Sequence, residues 1–290
     1  YLHLCLVTRF GDVPLMKANT DDKVSRTPAA EVWGFIYDEL NSAISLLGTP
    51  DEGYNYLSAD AAKALKARVC LYTGKKKEAA EIAESLIADA RYGLDSFEKI
   101  FRAAPNKEVI FAFSCLNTDQ SKIGISAMFY SYNHPNSGSY SYAPAEDVMT
   151  MYDAGDLRKE VSITTLDNLN FINKYPSGQK GTDPVVVSRL AEMYLISAEA
   201  QGVANGLDRL NELRQARGLG KVLPGTEAEF IEAILTERRK EFLCEGHRWY
   251  DLVRTGKAVE KLGIQQYQTL MPIPEQERQA NRNLTQNTGY

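Results

Sequence analysis

The chain has 290 residues, 44% of them hydrophobic and 24% charged, with a formal net charge of −5. That composition belongs to a globular protein able to bury a substantial core, and the interspersed signs exclude the basic stripe that a nucleic-acid groove requires. No apolar run approaches the roughly 18 residues of a membrane-spanning helix, and the most apolar stretch, Val109 to Leu116, has the length of a strand. Cys5, Cys70, Cys115 and Cys244 lie far apart with no Cys-x-x-Cys pair, so buried free thiols are expected, with no metal site and no cofactor.

Residues 28 to 47 predict a helix with Pro28 in its first turn, Thr27 as cap, and Val32, Ile36, Leu40, Ala43 and Leu47 on one face. After a turn-rich stretch at Pro50 to Tyr56, Ser58 caps a second helix that buries Ala62, Leu65, Val69 and Tyr72 and stops at Gly74. A third follows at once, with Ala79, Ile82, Ala83, Leu86, Ile87 and Ala90 in one stripe. Small alanines facing a partner across a tight turn resemble a tetratricopeptide unit. A second such pair is predicted at Val187 to Val203 and Leu207 to Arg217. The expected fold is therefore mainly α, with tetratricopeptide-like pairs over residues 28–104 and 185–260.

Between these arrays, residues 105–184 change vocabulary to Gly, Ser, Pro, Asn and Tyr, which predicts a loop-rich subdomain with a few short strands. Val109 to Phe113 reads as one strand and Phe171 to Tyr175 as another, with a helical turn at Asp147 to Tyr152. The densest chemical candidate is Phe129 to Tyr142, FYSYNHPNSGSYSY, an aromatic loop on a rigid scaffold. A sugar offers apolar C–H faces bordered by hydroxyls, so flat rings beside amide groups suit it. Alternation turns some of these tyrosines inward as anchors.

Hydrolysis needs two carboxyl groups about 5 to 10 Å apart. Glu146 with Asp147, and Asp153 with Asp156, qualify by composition but read better as a helix cap and a turn. The three histidines, His3, His134 and His247, show no metal-ligand spacing, and no phosphate-loop, dinucleotide or serine-hydrolase motif is present. No catalytic residue is assigned.

Thr236 to Lys257, TERRKEFLCEGHRWYDLVRTGK, is the most specific segment. Phe230, Ile231, Ile234, Leu235, Phe242 and Leu243 form a helical stripe, Gly246 breaks it, and Trp249, Tyr250, Leu252 and Val253 begin a second helix. Arg238, Arg239, Arg248 and Arg254 alternate with Glu237, Glu241, Glu245 and Asp251, which suggests forked pairing within the segment. Glu237, Arg238, Arg239, Glu245, Gly246, Arg248, Trp249 and Asp251 together resemble the C-terminal motif of the SusD/RagB family. The likeness extends to Phe10-Gly11-Asp12-Val13-Pro14-Leu15, to Arg189 through Ala200, and to the Pro-Ile-Pro tail in residues 261–290.

The resemblance implies a single SusD-like domain over 1–290 that lacks its N-terminal portion, since Tyr1 falls inside a helical pattern. It further implies a non-catalytic glycan-binding lipoprotein, held on the outer face of the outer membrane by an N-terminal lipid anchor not present in this chain. Such a protein delivers oligosaccharide to a SusC-like TonB-dependent transporter. The loops of residues 117–144 are then expected to carry the glycan contacts, with Tyr130, Tyr132, Asn133, His134, Tyr140 and Tyr142 as the residues and with no fixed motif among them. A tetratricopeptide-type peptide-binding adaptor and an all-α glycosidase are the alternatives.

Overall fold

The computed structural model describes residues 1–48, 53–102, 104–113 and 124–290. Cys115, the first part of the predicted 117–144 loops and part of the Pro50 to Tyr56 turn lie outside the described residues. In chain order the fold begins with helices α1 (Leu2–Phe10), α2 (Ala29–Leu46), α3 (Ala59–Tyr72), α4 (Lys76–Ile87) and the short α5 (Phe97–Phe101). Strand β1 (Val109–Phe113), the one-turn helices α6 (Glu146–Met149) and α7 (Lys159–Ser162), and strands β2 (Ile163–Leu166), β3 (Leu169–Ile172) and β4 (Val185–Arg189) follow. The chain closes with α8 (Leu190–Ala216), α9 (Glu227–Glu241), α10 (Arg248–Arg254), α11 (Ala258–Leu262) and α12 (Glu275–Ala280). The fold is mainly α.

The helices pack in series, and α3 and α8 each use two apolar faces to do so. Leu4 and Val7 of α1 meet Val32, Ile36 and Leu40 of α2 and Ala62, Leu65 and Val69 of α3. The other face of α3 supplies Ala64, Ala67 and Leu71 to Ala79, Ala83 and Leu86 of α4 and Met193 and Ile196 of α8. Alanines at these contacts let the axes approach closely. α8 breaks at Gly202 (φ 70°), and its second half folds back so tightly that a Cβ on Gly206 would lie 2.1 Å from the Ala198 carbonyl oxygen. Leu210 and Leu213 of that half then pack with Phe230 and Ile234 of α9.

Several local expectations change. Ser58 caps α3 as its type predicts, its hydroxyl accepting from the Ala61 N–H at 3.1 Å. Thr27 does not cap α2: it bridges to Val13, and the carboxylate of Asp12 accepts from the Ala29 N–H at 2.8 Å instead. The strand expected at Phe171 to Tyr175 is β3, ending at Ile172, and it pairs with β2 in a hairpin turned by Asp167 and Asn168, both at positive φ. The stretch from Val187 to Arg189, read as helix, belongs to β4, which pairs antiparallel with β1. Cys70 is a buried free thiol, whereas Cys5 and Cys244 are only half-buried.

The ionic groups of the C-terminal motif do not pair mainly with one another. Glu241 accepts from Arg189 at 2.5 Å and from Arg158 and Arg217 at 2.8 Å. Glu237 pairs with Arg158 at 2.6 Å and Arg214 at 2.7 Å, and Glu245 with Lys174 at 2.8 Å and Arg189 at 2.9 Å. Glu108 and Asp156 complete the set through Arg189, Arg217 and Arg158. Burial alone would raise the Glu241 carboxyl, but Arg217, Arg189 and Arg158 together hold it well below the usual carboxylate range. Among the described residues, only Arg238 and Arg254 realise the pairing expected within the segment, sharing the Asp251 carboxylate at 2.7 and 2.8 Å.

Candidate functional site

The aromatic loop is seated on the β2–β3 hairpin. Three of its backbone N–H groups reach back across it: Ser139 donates to the Ala127 carbonyl at 2.7 Å, Tyr140 to Tyr130 at 2.9 Å and Tyr142 to Met128 at 3.0 Å. Gly138 makes this closure possible, since a Cβ there would sit 2.2 Å from the Ala127 carbonyl oxygen. Ser137 (φ 47°) and Tyr140 (φ 50°) adopt left-handed backbone conformations, which breaks simple strand alternation through the turn.

The structure divides the six predicted contact residues into two groups. Tyr130 is 0% exposed; its hydroxyl donates to Asn173 Oδ1 at 2.9 Å and its ring stacks at 5.9 Å on Phe171. It therefore anchors the loop and presents no face to a ligand, which corrects its expected role. His134 lies 4.4 Å from the Tyr130 ring and 4.8 Å from Phe171, and its Nδ1 accepts from the Asn136 N–H at 3.0 Å. Burial pushes its pKa below the ordinary 6.5. Tyr140 packs 5.3 Å from Phe171 and donates its hydroxyl to the Asn170 carbonyl at 3.0 Å.

Tyr132 and Tyr142 point outward, at 80% and 61% exposure, and Asn133 is exposed beside them in sequence. The hydroxyls of Ser139 and Ser141, 2.8 Å apart, add exposed polar groups next to Tyr142. Phe171 is the residue that sequence reasoning missed. It is the hub on which Tyr130, His134 and Tyr140 converge, and its signal was the Asp167-Asn168 hairpin turn that fixes its facing.

The acidic candidates are held by cations. Asp147 pairs with Arg239 at 2.5 Å and Asp153 with Lys240 at 2.5 Å, and these contacts lower both carboxyls. Asp156 is buried against Arg158 at 2.7 Å. A larger groove of about 880 Å³ lies elsewhere, lined by rings including Trp33, Tyr72, Tyr250 and Tyr267. Its Arg26, Gln286 and Asn287 side chains are engaged in hydrogen bonds within the protein, so they are not free for a ligand.

Residues 154–269 match the model of the SusD family. Over that segment the chain matches the SusD family. Over 123 residues it is 36% identical to SusD-like protein P38 of Formosa agariphila, a match covering 37% of this chain and 24% of that protein. SusD-like protein P2 of the same organism is 27% identical over 100% of this chain and 72% of its own length. A solved laminarin-binding SusD-like protein superposes with a TM-score of 0.85 at 26% identity, covering 99% of this chain and 76% of that one. The SusD family motif thus coincides with the buried ionic corner, while the exposed rings lie outside the matched residues.

Proposed function

We propose that this SusD-like chain binds an oligosaccharide or polysaccharide through the outward face of the loop carrying Tyr132, Asn133 and Tyr142. The single observation that supports this reading most is the division of the loop: Tyr130, His134 and Tyr140 clamp it to Phe171, while Tyr132 and Tyr142 are left exposed. A loop backbone held in place before a ligand arrives loses little conformational freedom on binding it. The laminarin-binding relative makes laminarin the first glycan to try.

The chain is proposed to bind its glycan without cleaving it. Asp147 and Asp153, two acids that follow the loop in sequence, are held ionised by Arg239 and Lys240 and so are poor proton donors. The family match supports a further proposal, that the protein acts at the cell surface, lipid-anchored to the outer membrane, and passes its glycan to a SusC-like TonB-dependent transporter. Native electrophoresis through gels containing laminarin or other polysaccharides tests the binding reading. Retardation with the polymer left intact is expected; shortening of the polymer would favour a glycosidase, and free migration through every polysaccharide would favour the peptide-binding adaptor.

A further inference from the structure

A cavity of about 430 Å³ lies between α9, α10 and α1, and four of its lining residues are arginines: Arg9, Arg238, Arg239 and Arg248. No carboxylate of the described residues lines it. Arg239 is paired with Asp147 and Arg238 with Asp251. Among the described residues, Arg9 and Arg248 have only carbonyl partners, Arg9 donating to Cys5 at 3.1 Å and Arg248 to Leu235 at 3.2 Å. Arg238 is 1% exposed, and its Nη1 has no hydrogen-bond partner among the described residues; the same holds for the buried indole Nε1 of Trp249. Burial, with Arg239 nearby, also lowers the pKa of Arg248, as crowding of like charges does.

Every one of these unsatisfied groups is a donor, and a buried donor is costly to leave unpaired. Guanidinium forks match the oxygen spacing of carboxylate, sulfate and phosphate. Trp249 and Tyr250 also line the cavity. We propose that this cavity is an oxyanion site, taking a carboxylate, sulfate or phosphate group either as a free ion or carried on a sugar. The site is separate from the tyrosine loop and does not rest on the glycan reading.

Calorimetric titration of the 290-residue chain with sodium sulfate, in chloride of matched ionic strength, tests it, with glucose 6-sulfate and glucose as parallel ligands. Saturable one-site binding is expected for sulfate or the sulfated sugar and none for glucose at this site. Tighter binding of the sulfated sugar identifies a sugar-borne group, and equal binding a free anion. Arg248→Gln and Arg9→Gln should each weaken the interaction at least about tenfold, while Arg282→Gln, on the exposed tail, leaves it unchanged. Melting in chloride establishes that each variant folds, and Arg9→Gln carries the test if Arg248→Gln does not. Absence of saturable binding by both anions, or equal affinity in the folded arginine variants, would overturn the proposal.

Discussion

The ionic corner around α9 and the aromatic loop on the β2–β3 hairpin use similar means to opposite ends. In the corner, Lys174, Arg158, Arg189, Arg214 and Arg217 face Asp156, Glu108, Glu237, Glu241 and Glu245, so charge is balanced and almost nothing faces solvent. In the loop, the same buried anchoring stops halfway. Tyr130 is sealed against Phe171 and Asn173, and Tyr132, two residues on, is left in water. The segment that resembles the family motif is therefore a structural joint, and the segment proposed to bind presents two rings, Tyr132 and Tyr142, beyond those that anchor it.

The largest expected effect sharpens that contrast. Glu241→Gln removes the charge on which three arginines converge, and breaking a buried pair of this kind costs about 3 to 5 kcal/mol. Denaturant unfolding should show that loss, with glycan affinity per folded molecule unchanged.

Acid should act on the corner next. Burial, with Arg68 and Arg238 beside it, pushes His247 well below its ordinary pKa of 6.5, so the native state refuses a proton that the unfolded chain accepts. The stability this contributes is present above about pH 6.5 and is lost as pH falls below it, at up to about 1.4 kcal/mol per pH unit. His247→Gln should flatten unfolding free energy between that pH and the range where carboxylates begin to protonate. A slope unchanged by that substitution would place the titration elsewhere.

Smaller effects divide the loop. Tyr130→Phe deletes the bond to Asn173 and should lower stability by about 1 kcal/mol, measurable by the same denaturant titration. Tyr132→Ala should stay within about 0.5 kcal/mol of the parent, as exposed positions usually do. Equal losses at the two positions would erase the distinction between anchor and exposed ring.

The helical array was legible because its stripes are local: Val32, Ile36 and Leu40 recur at helical spacing, and Ser58 announces its own cap. The partners of the corner were not, because Glu241 binds arginines 24, 52 and 83 positions away, and nothing in alternating charge within one segment reveals them. Asp12 displaced Thr27 as the cap of α2 for the same reason, by arriving from a separate turn. The loop was legible as aromatic, but its facing was not. Positive φ at Ser137 and Tyr140 interrupts alternation, and the hub, Phe171, lies on a hairpin whose first strand the local pattern does not announce.

The central claim rests on Tyr132 and Tyr142, and titration calorimetry with the glycan that retards the parent protein tests it most directly. The double variant Tyr132→Ala/Tyr142→Ala should bind at least about tenfold more weakly, a loss near 1.4 kcal/mol, with an unchanged Tm. Undiminished affinity in the folded double variant would contradict the account.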